Sequence, residues 1–195
     1  MGLEVKGRIR SIIAVPLFLI AGIGTGLATA TQVIEGNMGS FAANSGAWRT
    51  WPAAGSPNID PYTRGHFLAH GRLPMSTFEA IEFLATSDSE GQSLDASCSY
   101  TIAGPMAAAR WWRLTARQSE RVEDGEDAAI LSQTALMEAN NQVRVTASAE
   151  PQPGNWLRLR DSLPLELSLT LFSPSNSIKG ANAAVLLPRI VRESC

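Results

Sequence analysis

Leu165-Glu166-Leu167-Ser168-Leu169-Thr170-Leu171-Phe172 alternates leucine with polar residues. A two-residue period belongs to a β-strand with one buried face, because successive side chains of a strand point to opposite sides. Shorter runs upstream read the same way. Strands are expected at Ser97 to Ala103 and at Arg110 to Thr115, after the turn Asp88-Ser89-Glu90-Gly91. Leu136 to Ala139 and Val143 to Ser148 flank Asn140-Asn141, a pair that tolerates the positive φ of a hairpin turn. Phe78 to Ala85 is ambiguous between helix and strand, and we read it as a strand. The last strand is expected over Val185 to Val191, with Pro188 marking an edge or a bend. One short helix is predicted at about 60 to 70, where Asp60-Pro61 supplies an N-cap and a first-turn proline and Gly71 and Pro74 supply the stop. Many short strands with one or two helices argue for a mainly β fold, a β-sandwich.

Upstream of this region the pattern changes. Ser11 to Ile34 is a run of 24 uncharged residues preceded by Lys6, Arg8 and Arg10. As a helix it would be roughly 36 Å long, enough to cross a hydrocarbon core of about 30 Å. Its strongly apolar side chains each favour insertion by roughly 0.3 to 0.6 kcal/mol. The glycines, threonines and Pro16 make the segment only modestly hydrophobic. The basic start and the absence of Lys or Arg from residue 11 until Arg49 orient the amino terminus to the cytoplasm. The expected organisation is a cytoplasmic start at 1–10, a transmembrane anchor at 11–34, an irregular connector at 35–58 and a β-sandwich domain at 59–195. In a Gram-negative cell this is a single-pass inner-membrane protein with its domain in the periplasm. A cleavable signal peptide is the competing reading, since Ala28-Thr29-Ala30 suits a cleavage site. The run continues past it to Ile34, longer than a signal core. Gly22, Gly26 and Ala30 form a small-residue stripe suited to packing another transmembrane helix or a second copy of this chain.

Composition excludes other classes. With 16 Lys+Arg against 18 Asp+Glu, interspersed, the chain presents no nucleic-acid surface and no polybasic lipid patch. About 160 residues follow the anchor, the size of one domain. Cys98 and Cys195 are the only cysteines. In an oxidising compartment they read as a disulfide, against the alternative of two unlinked thiols.

Chemistry-bearing residues are sparse. His66 and His70, at i and i+4, share a helix face, but Phe67 stands where the HExxH zinc pattern needs glutamate. No metal or cofactor is expected. No nucleophile elbow, Walker loop or dinucleotide fingerprint occurs. Arg110, Trp112 and Trp156 are candidate ligand-binding residues, since aromatics and arginines line many concave sites, although tryptophans more often serve as core. In Arg110-Trp111-Trp112-Arg113, strand alternation sends the two tryptophans to opposite faces.

Asp60-Pro61-Tyr62, Gly71-Arg72-Leu73-Pro74, Asp88-Ser89 with Gly91, Cys98-Ser99-Tyr100, Ala109-Arg110-Trp111-Trp112 and Gly154-Asn155-Trp156-Leu157 together resemble the domain of unknown function 1214 family of bacterial envelope proteins. The likeness spans most of residues 60 to 195. It implies a jelly-roll-like β-sandwich, often behind one amino-terminal anchor, and a link with a companion family of unknown function numbered 1254. No established reaction comes with it. The reading that follows is a non-enzymatic, membrane-anchored binding or interaction module. The alternative is an envelope hydrolase or carbohydrate-active enzyme with a cleft near Trp156 and Arg110.

Overall fold

The computed structural model describes residues 3–35, 42–117, 128–160, 165–176, 178 and 185–195. The acidic segment Glu120 to Asp127, expected as a solvated loop, lies outside them. Two compact units divide the chain, one of Met1–Ser40 with Asp60–Leu73, the other of Phe41–Ile59 with Pro74–Cys195.

Two helices make up the first unit. Helix α1 spans Leu3–Glu35 with Pro16 inside it. Within it Ala14–Gln32 is long and apolar enough to cross a membrane. Its apolar side chains stand open, Leu17 at 65%, Phe18 at 76% and Ile20 at 70% exposure. Its threonine hydroxyls turn inward to the helix, Thr25 donating to Ala21 O at 2.8 Å and Thr29 to Thr25 O at 2.7 Å. That satisfies the polar atoms most costly to place in hydrocarbon. Helix α2 is Pro61–Ala69. Asp60 caps its start, Oδ1 accepting from the Tyr62 and Thr63 amides at 3.0 and 2.9 Å. Its end closes as a Schellman motif: Gly71, at φ +62, donates to Leu68 O and Arg72 donates to Phe67 O.

All the strands belong to the second unit, which is mainly β. One sheet has the order β1 (Ala43–Ser45), β2 (Trp48–Thr50), β3 (Ala80–Ala85), β10 (Glu166–Pro174), β5 (Ala109–Arg117), β6 (Ala129–Leu131). The other runs β11 (Arg189–Ser194), β4 (Ser99–Pro105), β8 (Gln142–Ser148), β7 (Met137–Glu138), with β9 (Asn155–Arg158) also on β8. Every pairing is antiparallel except β8 with β9. Both sheets feed one core. Phe83, Leu114, Leu167, Leu169 and Leu171 enter from the first, and Tyr100, Ile102, Val145, Leu157 and Ile190 from the second.

The leucine-alternating strand is the middle of the larger sheet. β10 lies between β3 and β5, with Leu169 opposite both Phe83 and Leu114. Leu167, Leu169 and Leu171 are wholly buried. The stretch at Phe78 is a strand from Ala80 on, as read. The Asn140-Asn141 turn has φ of 60 and 58, as its residue type demands.

Three differences from expectation have physical causes. The stretch 35–58, expected as an irregular connector, contains β1 and β2; Trp48, buried to 1%, donates its indole N–H to Pro188 O at 2.7 Å, so its packing partner lies 140 residues away in sequence. β6 and β9 are only three and four residues long, too short to display a period. The final strand begins at Arg189 rather than Val185, directly after Pro188, which has no amide to give a ladder.

Cys98 and Cys195 form a disulfide across 97 residues of sequence, tying the end of edge strand β11 to the start of β4. For a loop near 100 residues the chain-entropy model gives about 4.7 kcal/mol. Reduction should lower the free energy of unfolding by about 2 to 5 kcal/mol, read from urea transitions with and without reductant. Thiol labelling of denatured, unreduced protein should find neither cysteine reactive.

Candidate functional site

Three groups of side chains in the β unit carry polar or aromatic chemistry. The first closes the end of the smaller sheet. Asp88, 3% exposed, accepts the Glu90 and Gln92 amides on Oδ1 at 3.0 and 2.9 Å. Its Oδ2 sits 3.5 Å from Arg192 Nε, an ion pair too long for a good hydrogen bond. Arg192 also donates from Nη2 to Ser93 O and lies 5.6 Å from the Tyr100 ring centroid. Tyr100 donates its hydroxyl to Asp95 O and accepts the Asp95 amide. Ser89 exchanges bonds with Ile190, its amide to Ile190 O and its hydroxyl accepting from Ile190 N. These groups engage one another, Arg192 Nε alone lacking a hydrogen-bond partner, so the cluster locks the 86–98 loop onto β11. Asp88-Ser89 and Cys98-Ser99-Tyr100 are thereby explained as parts of one fastening.

The outward face of the larger sheet carries the second group. Trp111 stacks on Phe172, ring centroids 3.5 Å apart and 7° from parallel. Beyond them Arg117 reaches Glu82 at 3.3 Å and Glu166 at 3.9 Å, and Ser168 Oγ donates to Glu82 Oε1 at 2.7 Å. Each carboxylate has a guanidinium beside it. This is a cross-strand charge ladder of the kind that stabilises a sheet face.

The third group lies on the outward face of the smaller sheet and contains Trp156. Gly154, at φ +86, turns the chain into β9. Asn155 then clamps it: Oδ1 accepts the Leu136 amide at 2.7 Å, while Nδ2 donates to Leu136 O and Arg144 O, both at 2.8 Å. Leu157 goes to the core and is wholly buried, so alternation turns Trp156 outward. Its indole N–H donates to Ser148 O at 3.1 Å and to Ser148 Oγ at 3.2 Å, which holds the ring down across β8 and leaves it half-buried. Register aligns Val191, Thr101, Thr146 and Trp156 in one row across β11, β4, β8 and β9. The adjacent row sets Arg189 and Arg144 on either side of Ala103. On the other side, Arg158 pairs with Ser148. Arg144 is bound by Glu138 at 3.2 Å with its side chain 61% exposed. Arg158 and Arg189 are exposed and have no carboxylate within ion-pair distance among the described residues.

The three residues singled out from the sequence do not share a surface. Trp112 is core, 5% exposed. Arg110 is exposed at the start of β5 in the larger sheet, and Trp156 lies on the outward face of the other. Arg144, Arg158 and Arg189 were missed: Arg158 shares the face of Trp156 by alternation along a strand too short to be read, while Arg144 and Arg189 come beside it only through the register of four strands. The alternations Val143-Arg144-Val145-Thr146-Ala147 and Trp156-Leu157-Arg158 were the available signals. On α2 the imidazoles of His66 and His70 are 4.4 Å apart, with His70 Nδ1 2.8 Å from His66 O. Among the described residues no three His, Cys, Asp or Glu side chains gather to hold a metal. Gly22 and Gly26 lie in α1 with nothing within 4 Å of where a Cβ would stand.

A two-sheet β domain with paired charges on its faces, preceded by an apolar helix, is the class this structure defines. The chain belongs to the family described as Protein of unknown function (DUF1214), whose model matches residues 79–176, 98 of the 195. Among solved structures, the VPA0106 protein of Vibrio parahaemolyticus superposes with a TM-score of 0.54 at 14% identity, over 70% of this chain and 36% of that one. A putative uncharacterized protein of Burkholderia cenocepacia gives a TM-score of 0.46 at 13% identity, over 87% of this chain and 40% of that one. The first likeness shows the fold alone, and the chain spans about two fifths or less of the length of either. No curated protein is detectably similar to it.

Two measurements check the fastening. Asp88→Ala should cost about 3 kcal/mol in urea denaturation, since it strands two loop amides and a partly buried guanidinium. Asp95 tests the same loop by pH. The Ser97 amide at 2.9 Å and then the Ser97 hydroxyl at 2.8 Å, with a lesser pull from Arg192, hold its carboxyl below the ordinary 3.8 against slight desolvation. A depressed folded-state value means stabilisation present above pH 3.8 and lost as pH falls through the folded-state value. The gap between wild type and Asp95→Asn in urea midpoint should be constant near neutrality and close below that pH.

Proposed function

We propose that the protein is a single-pass, membrane-anchored binding or interaction module whose β unit works on the periplasmic side of an inner membrane. The observation that carries this reading is the open apolar surface of α1: side chains from Val15 to Leu27 stand about three-fifths or more exposed, from Val15 at 58% to Phe18 at 76%. Water would penalise that surface heavily and a bilayer would accept it. Lys6, Arg8 and Arg10 before it give the orientation, and the Cys98–Cys195 disulfide belongs to an oxidising compartment. The helix runs on to Glu35, past the Ala28-Thr29-Ala30 segment, which favours a retained anchor over a cleaved leader. Gly22, Gly26 and Ala30 supply a face on which another transmembrane helix, of a companion family 1254 protein or of a second copy, can pack closely. The family's jelly-roll-like sandwich is the frame that presents the outward faces.

A hydrolase working on glycosides needs two carboxylates flanking the scissile bond. Of the carboxylates near Trp156, Glu138 is engaged by Arg144, while Glu150 lies exposed two residues past the Ser148 that the indole binds, so a carbohydrate-active enzyme is kept as the second reading.

Alkaline carbonate extraction of membranes should leave the intact chain in the pellet, and deletion of residues 1–34 should release it. Protease added to spheroplasts should digest the β unit. A soluble species lacking the first thirty residues would overturn the anchor. Gentle purification that always returns the chain by itself would overturn the interaction role.

A further inference from the structure

We infer that the outward face of the smaller sheet, the row Thr101–Thr146–Trp156 flanked by Arg144, Arg158 and Arg189, is a docking surface for an acidic polysaccharide. The inference rests on the binding-module reading above and supplies its ligand class.

Charge complementarity is the first ground. Three guanidinium groups lie on this face, two with no carboxylate partner among the described residues. Arg144 gives only Nε to Glu138, so its terminal amino groups remain available as donors. Arg189 and Arg144 stand two strand spacings apart, roughly 10 Å, with Ala103 as a low floor between them. Successive carboxylates on an extended chain can meet such a pair, and the guanidinium fork matches a carboxylate in bidentate geometry.

The rest of the row separates a saccharide from other anions. Thr101 and Thr146 lie side by side, half-buried, offering hydroxyls that both donate and accept. Trp156 is fixed by its bond to Ser148, so its plane is preset and little freedom is lost when a sugar ring lies on it. An acidic peptide would instead seek an unpaired strand edge for main-chain bonds. β4 is paired by β11 and β8, and Ser89 takes up the β11 edge at Ile190; β9, paired with β8, leaves an outer edge, which the poly-glutamate probe tests. A flat aromatic plane, a hydroxyl row and guanidinium forks are what a chain of hydroxyl-rich rings with carboxylates requires.

The test uses the full chain in detergent with an oligogalacturonate of about eight residues as the acidic probe, its neutral galacto-oligosaccharide counterpart and a poly-glutamate peptide. Titration calorimetry and tryptophan fluorescence would be read together. Oligogalacturonate should bind, perturb the fluorescence and weaken with added salt, as exposed charge pairs do. Trp156→Ala should weaken it about tenfold, with Trp156→Tyr retaining most of the affinity. Arg189→Gln should weaken it about tenfold as well, by loss of one charged contact. Arg113→Gln, on the opposite sheet, should change nothing. Equal binding of the neutral oligosaccharide, equal binding of poly-glutamate, or no binding to any of the three would overturn the proposal. Carbonate extraction of the membranes from which the chain is purified reads the anchor separately, so failure of the glycan proposal and failure of the anchored-module reading are distinguishable.

Discussion

The burial of Leu167, Leu169 and Leu171 is the interaction on which the β unit depends. All three are removed from water, on a strand that has a long neighbour on each side. Each contributes about 1.5 to 3 kcal/mol by transfer alone. Their position matters more than the sum. Because Leu169 faces both Phe83 and Leu114, a slip of one residue in β10 would turn the whole leucine row away from the core and set Ser168 and Thr170 into it. One strand thus sets the register of its two neighbours, and those neighbours determine which side chains of β3 and β5 can appear outside. The Glu82–Arg117–Glu166 ladder and the Trp111–Phe172 stack follow from it.

The smaller sheet has its own buried row, Val143, Val145 and Ala147 of β8, but its edge strand relies on fastening. β11 pairs with β4 alone, yet carries Ile190 into the core. Three devices of different chemistry hold it: the Cys98–Cys195 bond at its end, the Asp88–Arg192 pair along it, and the Trp48 bond to Pro188 just before it. An edge strand held only by its ladder would fray, since its outer amides face water. Here the 86–98 loop covers that edge through the Ser89–Ile190 exchange. A rigid edge keeps Arg189 in a defined place, which a surface that recognises a polymer by spacing requires.

Much of the framework is legible in the amino-acid sequence. The cap at Asp60, the stop at Gly71, the hairpin at Asn140-Asn141, the alternation at 165–172 and the cysteine pair all follow from local rules: φ preferences, missing amides, period and redox compartment. What is illegible there shares one property. β1 and β2 owe their order to Trp48 reaching Pro188; β6 and β9 are too short to show a period; Trp111 and Trp112 could be sent to opposite faces, but which face met the core depended on β10. The candidate surface is half legible. Trp156 can be noticed as a lone aromatic, while its companions Arg144, Arg158 and Arg189 come from β8, β9 and β11.

By itself the sequence determined what is governed by neighbouring residues: a bilayer-length apolar helix with a basic start, a mainly β domain after it, and the family motifs. The tertiary structure alone decided which side chains share a surface. Adjacency across strands is set by register, and register is the outcome of long-range burial, with Leu169 between Phe83 and Leu114 in one sheet and Thr101 beside Thr146 in the other. Local sequence carries the period of a strand. Which strand lies next to it, and at what offset, is decided only when the core closes.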